Sequence, residues 1–402
     1  MTTAEEHLRV PYAMTVHGEE EIEAVVRVLR SSTQMGKHTR EFESKVAALF
    51  AKKHGIGVNS GSSALYLAVE ALGLPKGSEV ITPALTFATT VGCIVKNGLI
   101  PAFVDVEPNT YVIDAGRIEA MITDKTRAMV IPNLLGNIPD WERIAKIAQR
   151  HDLKLIEDSA DIVGATINGK STGLYSDLST TSFYGMHLIN CAGNGGMVCT
   201  SNDQYADKIK LLRSWGRSSS LFVESEAIEN RFNIDLDGIQ YDAKFVFEEI
   251  GYNLEPAELG CAFGLIQMQK LDRIYHHRKW AFEQQYAFFE KFGWFDMPRQ
   301  TPNTDMVWFV FPMLVKADAP FTRTDMQIFL EKRNIQTRVI FTGNILRQPG
   351  FRNIERRDAG NGYPESDEVM RRGVLLACHH GLTKEMIDHV HASFEEFARQ
   401  YR

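Results

Sequence analysis

Long hydrophobic runs, clusters of basic residues and closely paired cysteines are all missing from this chain of 402 residues. No apolar run approaches the roughly 20 residues that a membrane-spanning helix needs, and the first residues lack the charged-then-apolar pattern of a signal peptide. The formal net charge is −7 and no basic run occurs, which argues against a nucleic-acid surface. We therefore expect a cytoplasmic protein that binds neither nucleic acid nor a membrane.

The cysteines do not have the spacing of the common metal sites. None of the five forms a CxxC or CxC pair, so their spacing suggests neither a zinc site nor a cluster bound by thiolates. Cys191 and Cys199 flank a predicted turn where a disulfide could form, but a cytoplasmic location disfavours one. We expect no metal.

Short β-branched runs alternate with amphipathic stretches over the first 270 residues or so. Stretches with the i, i+3, i+4 spacing of helices are 63–73, 89–98 and 141–152. The predicted strands are 54–60, 78–84, 100–106, 127–133, 153–159, 179–185 and 195–201. This alternation predicts an α/β fold, a mostly parallel central sheet flanked by helices, in which ligands bind at the carboxyl ends of the strands.

The rest of the chain predicts a second, smaller α/β domain. A long helical pattern runs from Glu258 to about Phe292, and further predicted elements follow at 305–315, 334–341 and 384–402. We place the boundary so that residues 1–270 form a large domain and residues 271–402 a small C-terminal one. Residues 218–250 are polar and irregular, and a connection of that length is usually functional or mobile.

Two predicted strand ends carry residues that suit a flat, phosphorylated ligand. In NSGSSALYLAV (59–69), Gly61 and Ser62 open a helix whose free backbone N–H groups suit a phosphate, although a plain helix cap is an equally good interpretation. In TPALTFATT (82–90), Phe87 follows a strand where it could stack on an aromatic ring, although a core position is the usual role.

A third strand end is acidic. In LIEDSAD (155–161), Asp158 follows a buried strand and could pair with a protonated ring nitrogen, with Asp161 one step further along. Taken alone, such a carboxylate is more often solvated or part of a helix cap.

The order of these features resembles that of the fold-type I, aspartate aminotransferase-like enzymes, and more narrowly the DegT/DnrJ/EryC1/StrS group of nucleotide-sugar aminotransferases and dehydratases. The resemblance covers nearly the whole chain. Further segments that carry it are MGKHTREFES (35–44), VDVEPNTYVID (104–114), IGYNLEPAELGCAFGLIQMQKL (250–271), NIQTRVIFTGNILRQP (334–349) and GLT (381–383).

The resemblance implies that the cofactor is pyridoxal 5′-phosphate or pyridoxamine 5′-phosphate. Matched positions place Gly61, Ser62 and Ser182 at its phosphate. Asn253, in the GYN motif, would reach the phosphate of a neighbouring subunit, which implies a homodimer with shared sites.

Other matched positions concern the cofactor ring and the substrate. Phe87 would stack on the ring, Asp158 would pair with the pyridine nitrogen, and Asp161 would lie near the ring hydroxyl. Arg338 and Arg347 are the candidates for binding a carboxylate or a pyrophosphate, or else form structural ion pairs.

The lysine that binds the cofactor covalently in aminotransferase members is absent. Those members read roughly Ser-Phe-His-x-x-Lys, whereas the segment from Ser182 has the same spacing with His187 in the lysine position, and no lysine occurs between Lys170 and Lys208. An imidazole cannot bind the aldehyde in that way but can move a proton near neutral pH. The combination is similar to that of the sugar 3-dehydratases of this family, in which His187 would be the catalytic base that removes the C3 hydroxyl of a nucleotide-linked 4-keto-6-deoxyhexose.

Two types of these dehydratases are known, and they recharge the cofactor differently. The ascarylose type carries an iron–sulfur cluster on four cysteines and uses a reductase, but the matching places here hold Ala160, the 219–221 stretch and Glu229. The colitose type needs no cluster and uses L-glutamate. We therefore expect the glutamate-dependent chemistry without an iron–sulfur cluster. The alternative is an aminotransferase-like protein of the same family that is lysine-free or inactivated.

Overall fold

The computed structural model describes residues 7–222, 228–232 and 234–401, and only the backbone of residues 229 and 230. The helices are α1 Glu19–Leu29, α2 Lys37–Leu49, α3 Gly61–Ala71, α4 Ala88–Lys96, α5 Trp141–Arg150, α6 Asp203–Arg213, α7 Ile228–Arg231, α8 Glu258–Gln269, α9 Leu271–Phe289, α10 Arg323–Lys332, α11 Pro364–Arg372 and α12 Lys384–Ala398. The strands are β1 His54–Val58, β2 Glu79–Pro83, β3 Ile100–Val104, β4 Thr126–Pro132, β5 Lys154–Ser159, β6 Thr166–Ile167, β7 Lys170–Ser171, β8 Leu178–Ser182, β9 Gly196–Thr200, β10 Ile234–Leu236, β11 Ile239–Tyr241, β12 Phe295–Asp296, β13 Thr304–Asp305, β14 Phe311–Val315 and β15 Gly373–Leu376.

A seven-stranded sheet with the order β1-β9-β8-β5-β4-β2-β3 is formed by strands between His54 and Thr200. Its strands are the seven predicted from the sequence, with small shifts at their ends. The pairs from β8 to β3 are parallel, and β9 pairs antiparallel with both β1 and β8. The prediction of a mostly parallel sheet is therefore confirmed.

Alternate residues of the strands are buried on opposite faces of this sheet. Ile81 and Met129 belong to the core that also contains the apolar stripe of α5. Val80 and Val130, one residue away on the same strands, belong to the core beneath α3. Both faces are thus covered by helices, which explains why the strands are continuous hydrophobic runs.

The C-terminal part differs in detail from its prediction. The predicted helical run of residues 258–292 is two helices, α8 and α9, which meet at Lys270. The segment 334–341 contributes only isolated bridges, from Ile335 to Val10 and from Arg338 to Leu375. The small sheet has the order β12-β14-β15, and Val10 packs in its aromatic core. The division at residue 270 remains a prediction.

The parallel register brings the predicted site residues to one edge of the sheet. Asp158 on β5 lies between Pro132 on β4 and Thr180 on β8, and β8 ends at Ser182. Helix α3 begins beside this edge at Gly61. In the described part of the chain, no helix is long and apolar enough to cross a membrane.

Candidate active site

A cavity of about 480 Å³ lies at the carboxyl edge of the sheet. This volume is within the usual range of small-molecule sites. Seven predicted residues line it: Gly61, Ser62, Phe87, Asp158, Asp161, Ser182 and His187. None of the described residues that line it is a lysine or an arginine.

The start of α3 forms a polar corner of the cavity. Ser60 caps the helix by accepting a hydrogen bond from the amide of Ser63 at 3.1 Å, so the amides of Gly61 and Ser62 remain available. The Ser62 hydroxyl lies 3.2 Å from that of Thr89, and Ser182 lines the same cavity. Free amides at a helix start together with hydroxyl groups suit a phosphate.

Glycine at position 61 allows the turn after β8 to approach this corner. A Cβ on Gly61 would lie 2.5 Å from the Cβ of Ser182, well inside van der Waals contact. We expect Gly61→Ala to push Ser182 out of place and to lower the affinity for pyridoxal phosphate about tenfold or more, because overpacking of this kind costs roughly 1–3 kcal/mol. A spectroscopic titration measures the affinity. Gly350→Ala is the matched control, since a Cβ there meets nothing within 4 Å. Unchanged affinity in Gly61→Ala would contradict the role of this corner.

Asp158 is a buried carboxylate that has no cationic partner among the described residues. It accepts hydrogen bonds from the Thr90 hydroxyl at 2.8 Å and from the Ala160 amide at 3.2 Å, and it forms no ion pair with any described residue. Burial raises the pKa of Asp158 to about 6, although the Thr90 hydrogen bond acts in the opposite direction. A protonated ring nitrogen would supply the missing cation.

Asp161 lines the same cavity and is also buried. Its carboxylate accepts a hydrogen bond from the Leu135 amide at 2.8 Å. Burial, together with the nearby charge of Asp158, raises the pKa of Asp161 to about 7, so a fraction of this group is protonated at neutral pH. Phe87 is 54% exposed and meets Phe341 edge-on, with ring centroids 5.8 Å apart. Its exposed ring is therefore available to a flat ligand in the cavity.

The imidazole of His187 has a defined orientation. Its Nδ1 lies 3.2 Å from the carbonyl oxygen of Ser182, which can only accept, so in the neutral ring Nδ1 carries the hydrogen and the lone pair is on Nε2. The ring meets Phe309 edge-on at 5.2 Å and Tyr184 at 5.9 Å. Burial lowers the pKa of His187 to about 4. The imidazole is thus neutral at physiological pH and can accept a proton.

These residues fit pyridoxal or pyridoxamine phosphate. Free amides and hydroxyls suit its phosphate, an exposed aromatic ring suits its ring, and a buried carboxylate without a cation suits its ring nitrogen. The three features lie in one cavity of suitable volume.

The other predicted residues lie outside the cavity lining. Asn253 is exposed and bridges to Ser214. Arg347 forms a two-pronged ion pair with Asp367 at 2.6 and 2.5 Å. Arg338 lies over the ring of Tyr12, a lining residue, with its guanidinium carbon 5.4 Å from the ring centroid.

Several lining residues were not among those predicted from the sequence. Thr90 orients Asp158 and lies in the same segment, 82–90, as Phe87. Its nearness to Phe87 in the sequence was the signal that could have marked it as a site residue. Tyr12 and Phe309 reach the cavity from the N-terminal segment and from the chain before β14, and no local pattern marks them.

No cysteine is among the described residues that line the cavity, whereas Ala160, one of the matched cluster positions, does line it. All five cysteines are buried and free, so Cys191 and Cys199 form no disulfide. Among the described residues, no group of three or more histidine, cysteine or acidic side chains could hold a metal ion. The side chain of Glu229, one of the four matched cluster positions, lies outside the described residues.

The fold and the cavity define an α/β protein of the fold-type I, aspartate aminotransferase-like class, as predicted. The chain belongs to the DegT/DnrJ/EryC1/StrS aminotransferase family, whose family model matches residues 15–395. The predicted family resemblance is thereby confirmed.

Three proteins illustrate the similarity of this chain to known proteins. It is 38% identical over 400 residues to dTDP-4-dehydro-2,6-dideoxy-D-glucose 3-dehydratase of Saccharopolyspora spinosa, covering 96% of this chain and 86% of the relative. It is 35% identical to the lipopolysaccharide biosynthesis protein RfbH of Salmonella typhimurium, covering 96% and 91%. A crystal structure of GDP-4-keto-6-deoxymannose-3-dehydratase with a trapped PLP–glutamate geminal diamine is similar with a TM-score of 0.86 and 27% identity, covering 96% of this chain and 100% of that one.

Proposed function

We propose that this protein is a nucleotide-sugar 3-dehydratase that removes the C3 hydroxyl of a nucleotide-linked 4-keto-6-deoxyhexose. The observation that carries this proposal is a neutral histidine, with its lone pair on Nε2, in a cavity that fits the cofactor and that no described lysine lines. Relatives that are named 3-dehydratases support it.

The cofactor would be bound mainly through its phosphate and its ring nitrogen. Bound pyridoxamine phosphate supplies an amine that condenses with the keto carbon of the sugar and a ring that accepts electrons. The amides of Gly61 and Ser62 and the hydroxyl of Ser182 would hold the phosphate. Asp158, oriented by Thr90, would hold a proton on the ring nitrogen.

His187 would perform the proton transfers of the elimination. Its Nε2 accepts a proton, while the carbonyl of Ser182 holds Nδ1–H in place and stabilises the resulting cation. Either this Nε2–H or a bound water then protonates the C3 hydroxyl, so that the C3–O bond breaks and water leaves. A lysine here could attack covalently and divert the reaction to amino transfer, and its absence therefore favours elimination.

L-Glutamate is the proposed amino donor and a homodimer the proposed assembly. Arg338, which is half exposed beside Tyr12, is the better placed of the two candidate arginines for a carboxylate or a pyrophosphate. It approaches the Glu331 carboxylate only at 3.9 Å, whereas Arg347 is paired with Asp367 at 2.5 Å. Asn253 is exposed and does not line the cavity of its own chain. Such a position is compatible with a contact to the cofactor phosphate of a second copy of the chain.

The proposal is tested by incubating the protein with pyridoxal phosphate, L-glutamate and a panel of GDP-, CDP- and dTDP-linked 4-keto-6-deoxyhexoses. We expect glutamate to convert the absorption spectrum to that of pyridoxamine phosphate, and one keto sugar to give ammonia and a product lacking the C3 oxygen by mass. Without the sugar, no ammonia should appear. Absence of ammonia with every sugar would refute the dehydratase.

The second candidate is an aminotransferase-like protein that is lysine-free or inactivated, and the missing lysine is the observation that favours it. The same experiment separates the two. Amino transfer gives an amino sugar without ammonia, and an inactivated protein gives neither the spectral change nor a product.

A further inference from the structure

A buried guanidinium that the proposed mechanism does not use lies behind the cavity. Arg278 on α9 is 1% exposed, and its Nη1 donates to the carbonyl oxygens of Phe309 at 2.7 Å and Cys378 at 3.1 Å. It forms no ion pair with any residue that the structure describes, and its Nε has no partner there. Burial lowers the pKa of Arg278 to about 10, so the group is charged at neutral pH. Burying a charge without a counterion is costly, and it is seldom kept without a role.

One set of hydrogen bonds connects Arg278 to Asp161. The Phe309 carbonyl accepts from Arg278, and the Phe309 amide donates to the Leu135 carbonyl at 2.8 Å. The Leu135 amide in turn donates to the Asp161 carboxylate at 2.8 Å. Leu135 has a φ of 59°, a left-handed conformation that a leucine adopts only when its surroundings hold it. The backbone of Phe309 is one of the groups that hold it.

A second connection leads from Arg278 to His187 through the side chain of Phe309. The guanidinium carbon of Arg278 lies 5.6 Å from the centroid of the Phe309 ring. The imidazole of His187 meets the same ring edge-on, with centroids 5.2 Å apart and planes at 75°. Phe309 therefore contacts both the buried cation and the proposed catalytic base.

We propose that Arg278 is a positioning residue: by holding the backbone and ring of Phe309, it sets the placement of Asp161 and of the His187 imidazole. This inference rests on the proposed function, in which His187 moves the proton. Arg278 itself contacts neither substrate nor cofactor, since it does not line the cavity.

Arg278 also acts on His187 and Asp161 through its charge. After burial and against the opposing hydrogen bond to Ser182, it lowers the pKa of His187, and it also lowers that of Asp161. The carbonyl of Ala160 acts on His187 as Ser182 does. The titratable groups that interact with Arg278 come from four segments and its own helix: Tyr12, Asp161, His187, Cys378, His379, His380 and Tyr275. Asp158 and Tyr184 line the cavity around His187.

The test compares Arg278→Met with Arg278→Lys in the protein without cofactor. The imidazole of His187 is followed by NMR as pH is lowered, and its signal is assigned by its absence in His187→Asn. We expect Arg278→Met to raise the pKa of His187 by about one unit, because the positive charge that disfavours the imidazolium is gone and Phe309, which packs against the imidazole, is no longer held. Arg278→Lys keeps the charge and should leave the pKa within about 0.3 unit of the wild-type value. An equal pKa in all three proteins would overturn the inference.

Kinetics with the keto sugar supply the second measurement. We expect Arg278→Met to lower kcat about tenfold with KM and cofactor affinity nearly unchanged, and Arg278→Lys to recover most of kcat. If Arg278→Met does not fold, Arg278→Gln takes its place, since its amide keeps a donor without the charge. Wild-type kcat in the uncharged variant would also overturn the inference. A wild-type protein that releases no ammonia contradicts the proposed function instead, and the NMR titration still tests whether Arg278 acts on the His187 imidazole.

Discussion

Replacing His187 by asparagine should lower the rate of ammonia release by about 10²–10⁴-fold, the usual contribution of a positioned acid or base. Asparagine can donate to the Ser182 carbonyl as Nδ1 does, but it cannot take up a proton at the position of Nε2. The affinity for the cofactor should remain nearly unchanged, because the start of α3 and Asp158 supply that binding. The measurements are the rate of ammonia release and a spectroscopic titration with pyridoxamine phosphate.

The matched control is His276→Asn, which removes an exposed histidine on α9 and should retain full activity. If His187→Asn loses cofactor affinity as well, the residue is architectural and the proposed role is wrong. His187→Lys offers a complementary test. It should allow borohydride to fix pyridoxal phosphate to the protein, whereas borohydride should fix none to the wild-type chain.

Local sequence pattern was sufficient to predict the central sheet, and the strand ends together with the family resemblance pointed to residues that line the cavity. The strands are short runs that are buried on both faces, and such runs stand out in a sequence. Because parallel strands end at one edge, residues as far apart as Gly61, Asp158 and His187 could be expected to meet, and the cavity lining contains all three.

What the sequence did not reveal depends on contacts between distant segments. The break at Lys270 between α8 and α9 falls in a continuous helical pattern, so no local signal marked it. Tyr12 reaches the cavity because the chain around Val10 pairs with Ile335. The left-handed Leu135 is held by Phe309, which comes from a segment 174 positions later (309 − 135). The residues that orient the candidate side chains could therefore be identified only from the three-dimensional structure.

Replacing Asp158, at the acidic end of β5, should also lower the rate of ammonia release strongly. Asp158→Asn keeps the shape of the side chain and an oxygen that can accept from Thr90, but it removes the charge that would stabilise a protonated ring nitrogen. We expect ammonia release to fall by about 10²–10³-fold, as when one electrostatic contact to the reacting system is lost. The absorption spectrum of the bound cofactor should also shift, because its ring nitrogen loses the proton.

Asp318→Asn, an exposed substitution of the same type, should change neither rate nor spectrum. The binding of the cofactor should also depend on pH through Asp158. Burial raises the pKa of Asp158 to about 6, so in the wild-type protein the carboxylate form is lost as pH falls through 6. The affinity of the wild-type protein for the ring-protonated cofactor should therefore fall as the pH drops below about 6, whereas cofactor bound to Asp158→Asn should lack the ring-protonated spectrum already at neutral pH. A variant that keeps both the rate and the spectrum at neutral pH would show that Asp158 does not face the ring nitrogen, and the proposed orientation of the cofactor in the cavity would then be wrong.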